Sequence, residues 1–283
     1  MIYGADVPIE EDIDIDRFVD IVDDESWKEF MPAGVTKQIF TEFTKYYDRD
    51  VFIAAGKRIR KLAASADRET PTRRVIQIAE IFRHFKNPDK ETVLTPWRVV
   101  NMHMSDTIGG WCFFNEKFED DTQKEKHRLE EPRFVDRGEV TKTLFSENAH
   151  ILEINSKTGL YPLYVAYSFY KQRMEGMSDD DWEPEDCQLF WNEVIRDNVY
   201  VICKTPMAKS ITRRTLCGYS DTIVNAHYFD DLVNMLKNKP EQFKKRVLKG
   251  SYWKKDVKEM KFDAVVGNPP YQETIGALRI LSR

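Results

Sequence analysis

The chain has 283 residues, 41% of them hydrophobic and 12% aromatic, which is enough for the core of one large or two smaller domains and excludes a disordered protein. No apolar run reaches transmembrane length and the start carries no signal-peptide pattern, so no membrane partner and a cytoplasmic location are expected. The net charge of -5 is uneven: residues 1–30 hold eleven acids against Arg17 and Lys28, whereas residues 204–261 hold fourteen Lys and Arg against six Asp and Glu, a basic half suited to phosphates.

Taken in chain order, residues 1–30 show little periodicity and are expected to be an acidic leader or linker. Val35, Ile39, Phe40 and Phe43 make one apolar helical face, and a second helix is predicted over 51–64. Thr70-Pro71 is a cap followed by proline at the first helical position, and Val75, Ile78, Phe82 and Phe85 continue it as a buried stripe. Residues 31–90 thus read as a helical subdomain, closed by Asn87-Pro88-Asp89. Thr95-Pro96 opens another helix to about Met104. Residues 115–148 are charged and turn-rich and are expected to be irregular.

From there the pattern alternates. Residues 150–154 read as a buried strand with Glu153 near its end, 155–159 as a turn, and 160–174 as an aromatic-rich helix. Residues 177–186 read as an acidic loop, 199–203 as a second strand, and Thr205-Pro206 as the cap of a helix through Leu216. A short strand is predicted at 223–225, helices at 230–237 and 241–249, and a last strand at 262–267. Strands alternating with helices predict an α/β fold with a parallel sheet. Cys112, Cys187, Cys203 and Cys217 form no Cys-x-x-Cys pair and the five histidines no ligand spacing, so reduced thiols and no metal site are expected.

The last strand breaks at Gly267 into Asn268-Pro269-Pro270-Tyr271. Two prolines continue neither a ladder nor a helix, so they fix a turn at a strand's carboxyl end. An amide oxygen on Asn268, the Pro269 carbonyl and the Tyr271 ring suit a planar exocyclic amine, whose two N–H groups meet two acceptors while the ring stacks. These bonds strengthen as positive charge develops on nitrogen, which favours the transition state over the ground state.

The tetrapeptide resembles motif IV of amino-methyltransferases that use S-adenosylmethionine. Residues 94–100, with Thr95-Pro96, resemble motif X, and residues 151–159 resemble motif I. In this order the blocks resemble the gamma class of N6-adenine DNA methyltransferases of restriction-modification systems, over roughly residues 90–273. The resemblance implies a Rossmann-like methyltransferase sheet of strand order 3-2-1-4 within 91–283. It implies S-adenosylmethionine held by Thr95, Pro96, Glu153, Asn155 and Gly159, and a DNA partner with a flipped adenine held by Asn268, Pro269, Pro270 and Tyr271.

Three departures from the family pattern stand out. Lys157 occupies the place of an earlier glycine, and no acid follows the second strand to take the ribose hydroxyls. Twelve residues follow Tyr271, too few for the remaining strands and a recognition region. An incomplete methyltransferase sheet with a bare edge, part of a split or longer restriction-modification protein and of little activity alone, is therefore expected. Two other readings remain open: a catalytically inactive remnant or DNA-binding or scaffolding subunit, and a methyltransferase of a protein glutamine or of an RNA amine.

Overall fold

A computed structural model of the chain describes residues 1–87, 93–118 and 132–267. The opening stretch is built rather than loose. A 3-10 turn at Ile2–Gly4 leads to helices α1 (Ile15–Ile21) and α2 (Asp24–Phe30). The acids that suggested a leader include the helix caps. Asp14 accepts the N–H groups of Asp16 and Arg17, and Asp23 accepts that of Ser26. Tyr3, Ile15, Phe18, Val22 and Trp27 are buried in the main core. The Arg60 guanidinium, itself 2% exposed, donates to the carbonyls of Val7, Pro8 and Glu11 and pins the segment down.

Helices α3 (Lys37–Phe43), α4 (Arg49–Ala66) and α5 (Pro71–Arg83) follow. Of the apolar face expected on α3, only Phe40 is buried; Ile39 and Phe43 lie exposed. α5 keeps proline at its first position and buries Val75 and Ile78. Helix α6 (Trp97–Thr107) starts one residue later than Thr95-Pro96 suggests, with Pro96 as its cap residue. The stretch expected to be irregular contains strand β2 (Arg133–Val135), paired antiparallel with β1 (Gly110–Cys112), and helix α7 (Glu139–Leu144).

The α/β portion then runs β3 (Ile151–Ser156), α8 (Leu160–Arg173), α9 (Pro184–Asp197), β4 (Val199–Cys203), α10 (Pro206–Cys217), β5 (Asn225–Tyr228), α11 (Leu232–Asn238), α12 (Pro240–Val247) and β6 (Ala264–Val266). α9 lies partly in the expected acidic loop; Cys187, Trp191, Val194 and Ile195 give it a buried helical face. β5 sits two to three residues beyond the strand expected at 223–225.

The four strands are parallel in the order β5-β4-β3-β6, which is the expected 3-2-1-4. Alternate side chains part to the two faces. Ile151, Val199, Val201 and Cys203 join the main core with α8, α9 and α10. Leu152, Ile154, Tyr200 and Ile202 join a second core with Phe229, Leu232, Phe243, Val247 and Trp253. Asp263 fixes the entry of β6 by accepting the His150 N–H at 2.8 Å and donating its own N–H to the His150 carbonyl at 2.9 Å. No described helix is long and apolar enough to cross a membrane.

Candidate cofactor site

β3 and β6 run side by side, with Ile151 opposite Ala264, Leu152 opposite Val265 and Glu153 opposite Val266. Gly267 then approaches β3 so closely that a Cβ there would meet the Ile154 carbonyl oxygen at 2.7 Å. Only glycine allows that contact. Asn268, Pro269, Pro270 and Tyr271 follow directly in sequence but lie outside the described residues.

At its carboxyl end β3 loses regular pairing. Ile154 pairs with Ile202 and Ser156 with Cys203, so Asn155 is an extra residue, in left-handed conformation with φ 68°. Such a bulge turns the chain out of the sheet, a device common beside functional sites. The Asn155 amide oxygen ends up buried without a donor. Glu153, 4% exposed, shows the same imbalance: one carboxylate oxygen has no partner. Burial pushes its carboxyl group up to about 8, and the neighbouring Ser156 hydroxyl opposes that rise only in part.

The turn after β3 is held by hydroxyls. The Gly159 N–H reaches the Ser156 Oγ at 3.2 Å, Ser156 meets the Thr212 Oγ1 at 3.1 Å, and Thr215 donates to the Thr158 carbonyl at 2.7 Å. Gly159 has φ +75°, and a Cβ on it would lie 3.0 Å from the Thr212 Cα. Its missing side chain therefore makes room for α10. Gly159 also starts α8 without a side-chain cap.

A second buried acid reaches the same edge of the sheet from α2. Glu29 is 5% exposed; one oxygen accepts the hydroxyl of Thr205, which also caps α10 beyond β4. The other oxygen has no donor. Burial raises its carboxyl group above the usual range, opposed by the Thr205 hydroxyl and by Lys157 and Lys204. The Cys203 thiol at the end of β4 is held well above its ordinary value, first by burial and further by both carboxylates, Glu153 and Glu29. Nothing in the sequence distinguishes Glu29 from its ten acidic neighbours in residues 1–30.

Thr95 and Pro96 stand differently from Glu153, Asn155 and Gly159. Trp97, at the start of α6, packs on Tyr164 of α8, and His103, two turns on, bonds the Tyr161 hydroxyl at 2.8 Å. α6 therefore runs against α8 with its far end, not its Thr-Pro end, toward the Gly159 turn. His103 is the side chain it brings there, against Tyr161 of α8.

Glu153, Asn155 and Glu29 thus leave three buried acceptor atoms without donors at the carboxyl ends of β3 and β4. Two carboxyl groups and an amide oxygen oppose a pyrophosphate and suit a ligand rich in hydroxyl and ammonium donors. Among the described residues no cluster of His, Cys, Asp and Glu could hold a metal ion. Residues 197–278, less than half of the chain, match the Eco57I restriction-modification methylase family. That span is therefore similar to restriction-modification methylases, and it includes β4, α10, β5 and β6 as well as the Asn-Pro-Pro-Tyr segment. No curated protein and no solved structure matches the chain.

Proposed function

We propose that this chain carries the cofactor-binding side of a DNA methyltransferase of a restriction-modification system, acting on adenine N6 with S-adenosylmethionine. The observation that supports this most is the neighbourhood of β3 and β6. It sets Glu153 level with Val266, two residues before Asn268, so the acceptors at the end of β3 and the amine-binding tetrapeptide start from adjacent strands. Ligands of doubly wound sheets bind at carboxyl ends, where strand order reverses, and here the reversal falls between β3 and β6.

The residues present fit the cofactor. Its ribose hydroxyls and ammonium group are donors of the kind that Glu153, Asn155 and Glu29 lack. S-Adenosylmethionine, when bound, supplies an electrophilic methyl group. The chain's part is positioning and charge. Asn268 and the Pro269 carbonyl accept the adenine amine's N–H groups and localise its lone pair, Pro270 keeps the turn rigid, and Tyr271 stacks on the flipped base. The basic stretch 204–261 attracts the DNA backbone.

The test is transfer of labelled methyl groups to duplex DNA by this chain or a longer protein containing it, followed by nucleoside analysis. Label on N6-methyladenine is expected, and Asn268→Ala should lower transfer far more than cofactor binding. Label on cytosine, protein glutamine or RNA would overturn the adenine assignment. A second reading, a non-catalytic DNA-binding subunit, draws support from Gly159, whose open side faces α10 rather than a ligand. Failure to bind S-adenosyl ligands at all, with DNA binding retained, would select it.

A further inference from the structure

We propose that Glu29, delivered by α2, is the acceptor for the ribose hydroxyls of the bound nucleoside cofactor, so that the N-terminal segment forms one wall of the site. The proposal rests on the methyltransferase reading above. No acid follows β4 in the chain, where Lys204-Thr205-Pro206 leads straight into α10. Glu29 fills that place from a distant part of the sequence. Its Oε2 is engaged by the Thr205 hydroxyl at the very residue where β4 gives way to α10, and its Oε1 is buried without a donor. Lys157, from the turn after β3, and Lys204, from the end of β4, both act on its carboxylate. Those cations mark the two strand ends between which it lies.

The placement is firm. Ser26, one turn earlier on α2, accepts the Met207 N–H of α10 at 3.0 Å, and the Trp27 indole donates to the Val35 carbonyl at 2.7 Å. A side chain needed only to hold Thr205 would use one oxygen. The second, kept in the core without a partner, carries a desolvation cost that a ligand hydroxyl offsets. A carboxylate can accept two hydroxyls at once and binds each more strongly than a neutral amide does.

The experiment compares two ligands on the full chain by titration calorimetry: S-adenosylhomocysteine and its analogue lacking both ribose hydroxyls. Glu29→Gln keeps the shape and removes the buried charge, so the variant should fold; thermal melts check this. It should weaken S-adenosylhomocysteine about tenfold or more and leave the analogue's affinity within about twofold. Glu29→Asp, which withdraws the carboxylate from Thr205, should show the same selective loss and serves as the second variant. Equal loss for both ligands would show that Glu29 only supports the fold around Thr205 and Lys157. An unchanged affinity would overturn the proposal while leaving the methyltransferase reading intact. Absence of binding to either ligand by the unmodified chain would reject that reading, and the proposal with it.

Discussion

Glu153 sits with its carboxyl group in the core, and its proton equilibrium can be read out as stability. The unfolded chain ionises this group near its ordinary 4.5 and the folded chain near 8. Below 4.5 both states hold the proton and the group is neutral toward stability. As pH rises toward 8 the unfolded state gives up its proton first, so folding weakens, by on the order of a few kcal/mol at most. His227, which burial pushes down to about 4 from 6.5, works in the opposite sense over that acid range. Above 6.5 that histidine no longer titrates, but the Met1 α-amino group, which burial pushes down to about 6 from 8.0, still adds stability as pH rises to 8, and it does so equally in parent and variant, so the difference between the two reports Glu153. Glu153→Gln is expected to gain stability over the natural chain as pH rises from 6.5 to 8 and to melt higher than it at pH 8; thermal scans of both proteins at pH 6.5 and 8 check it. A variant profile parallel to the parent's would mean that Glu153 is ionised in the fold. Gly159 makes a second residue-scale case. Gly159→Ala must take φ +75° and place its Cβ 3.0 Å from a backbone atom of α10. It should cost about 2 kcal/mol, measured by urea denaturation, and an unchanged midpoint would show that the turn gives way freely.

Helices α1 and α2 show how an element can be hidden by its own caps. Asp14 and Asp23 read as members of an acidic run, yet each accepts N–H groups at a helix start. The apolar partners Phe18 and Trp27, with ring centroids 5.8 Å apart, find their core only through Phe40 and Phe52 of later helices. Trp27→Ala should therefore destabilise the protein by about 3–5 kcal/mol, whereas in a loose leader the change would be silent; the same denaturation measurement decides. The buried strands are the opposite case. Residues in β3 and β4 are apolar on both faces because helices cover both sides of a parallel sheet, so their runs stand out in the sequence. β1 and β2 are three residues each, and β2 buries none of its side chains, so they carry no such pattern. The same holds for the candidate site. Glu153 and Asn155 are legible because they end an apolar run, while Glu29 acquires its role only through the long-range bond to Thr205. The bulge at Asn155 depends on a backbone angle that no composition signals.

At the scale of the molecule the charge asymmetry has a measurable counterpart. If the stretch 204–261, with its surplus of eight positive charges, lies along DNA, affinity for a duplex should fall about tenfold or more between low and physiological salt. Fluorescence anisotropy with a labelled duplex tests this, and salt-independent binding would remove that stretch from the contact. Alternating strands and helices predict the parallel sheet, and the order β5-β4-β3-β6 is the one that the family resemblance implies. The part that alternation could not foretell is how the helices before the sheet are fastened to it. Arg74 of α5, 4% exposed, donates to the carbonyls of Arg214, Thr215 and Leu216 at the last turn of α10, and its Nε meets Asp67 at 3.0 Å. Arg60 of α4 does the same for the first residues of the chain. Each guanidinium stitches backbone to backbone, and breaking either set strands a cation in the interior. Amide hydrogen exchange should accordingly find no partial opening that frees α4 and α5 while the sheet stays closed. The slowest-exchanging amides of α5 and of β4 should lose protection together, as one unit, when denaturant is added.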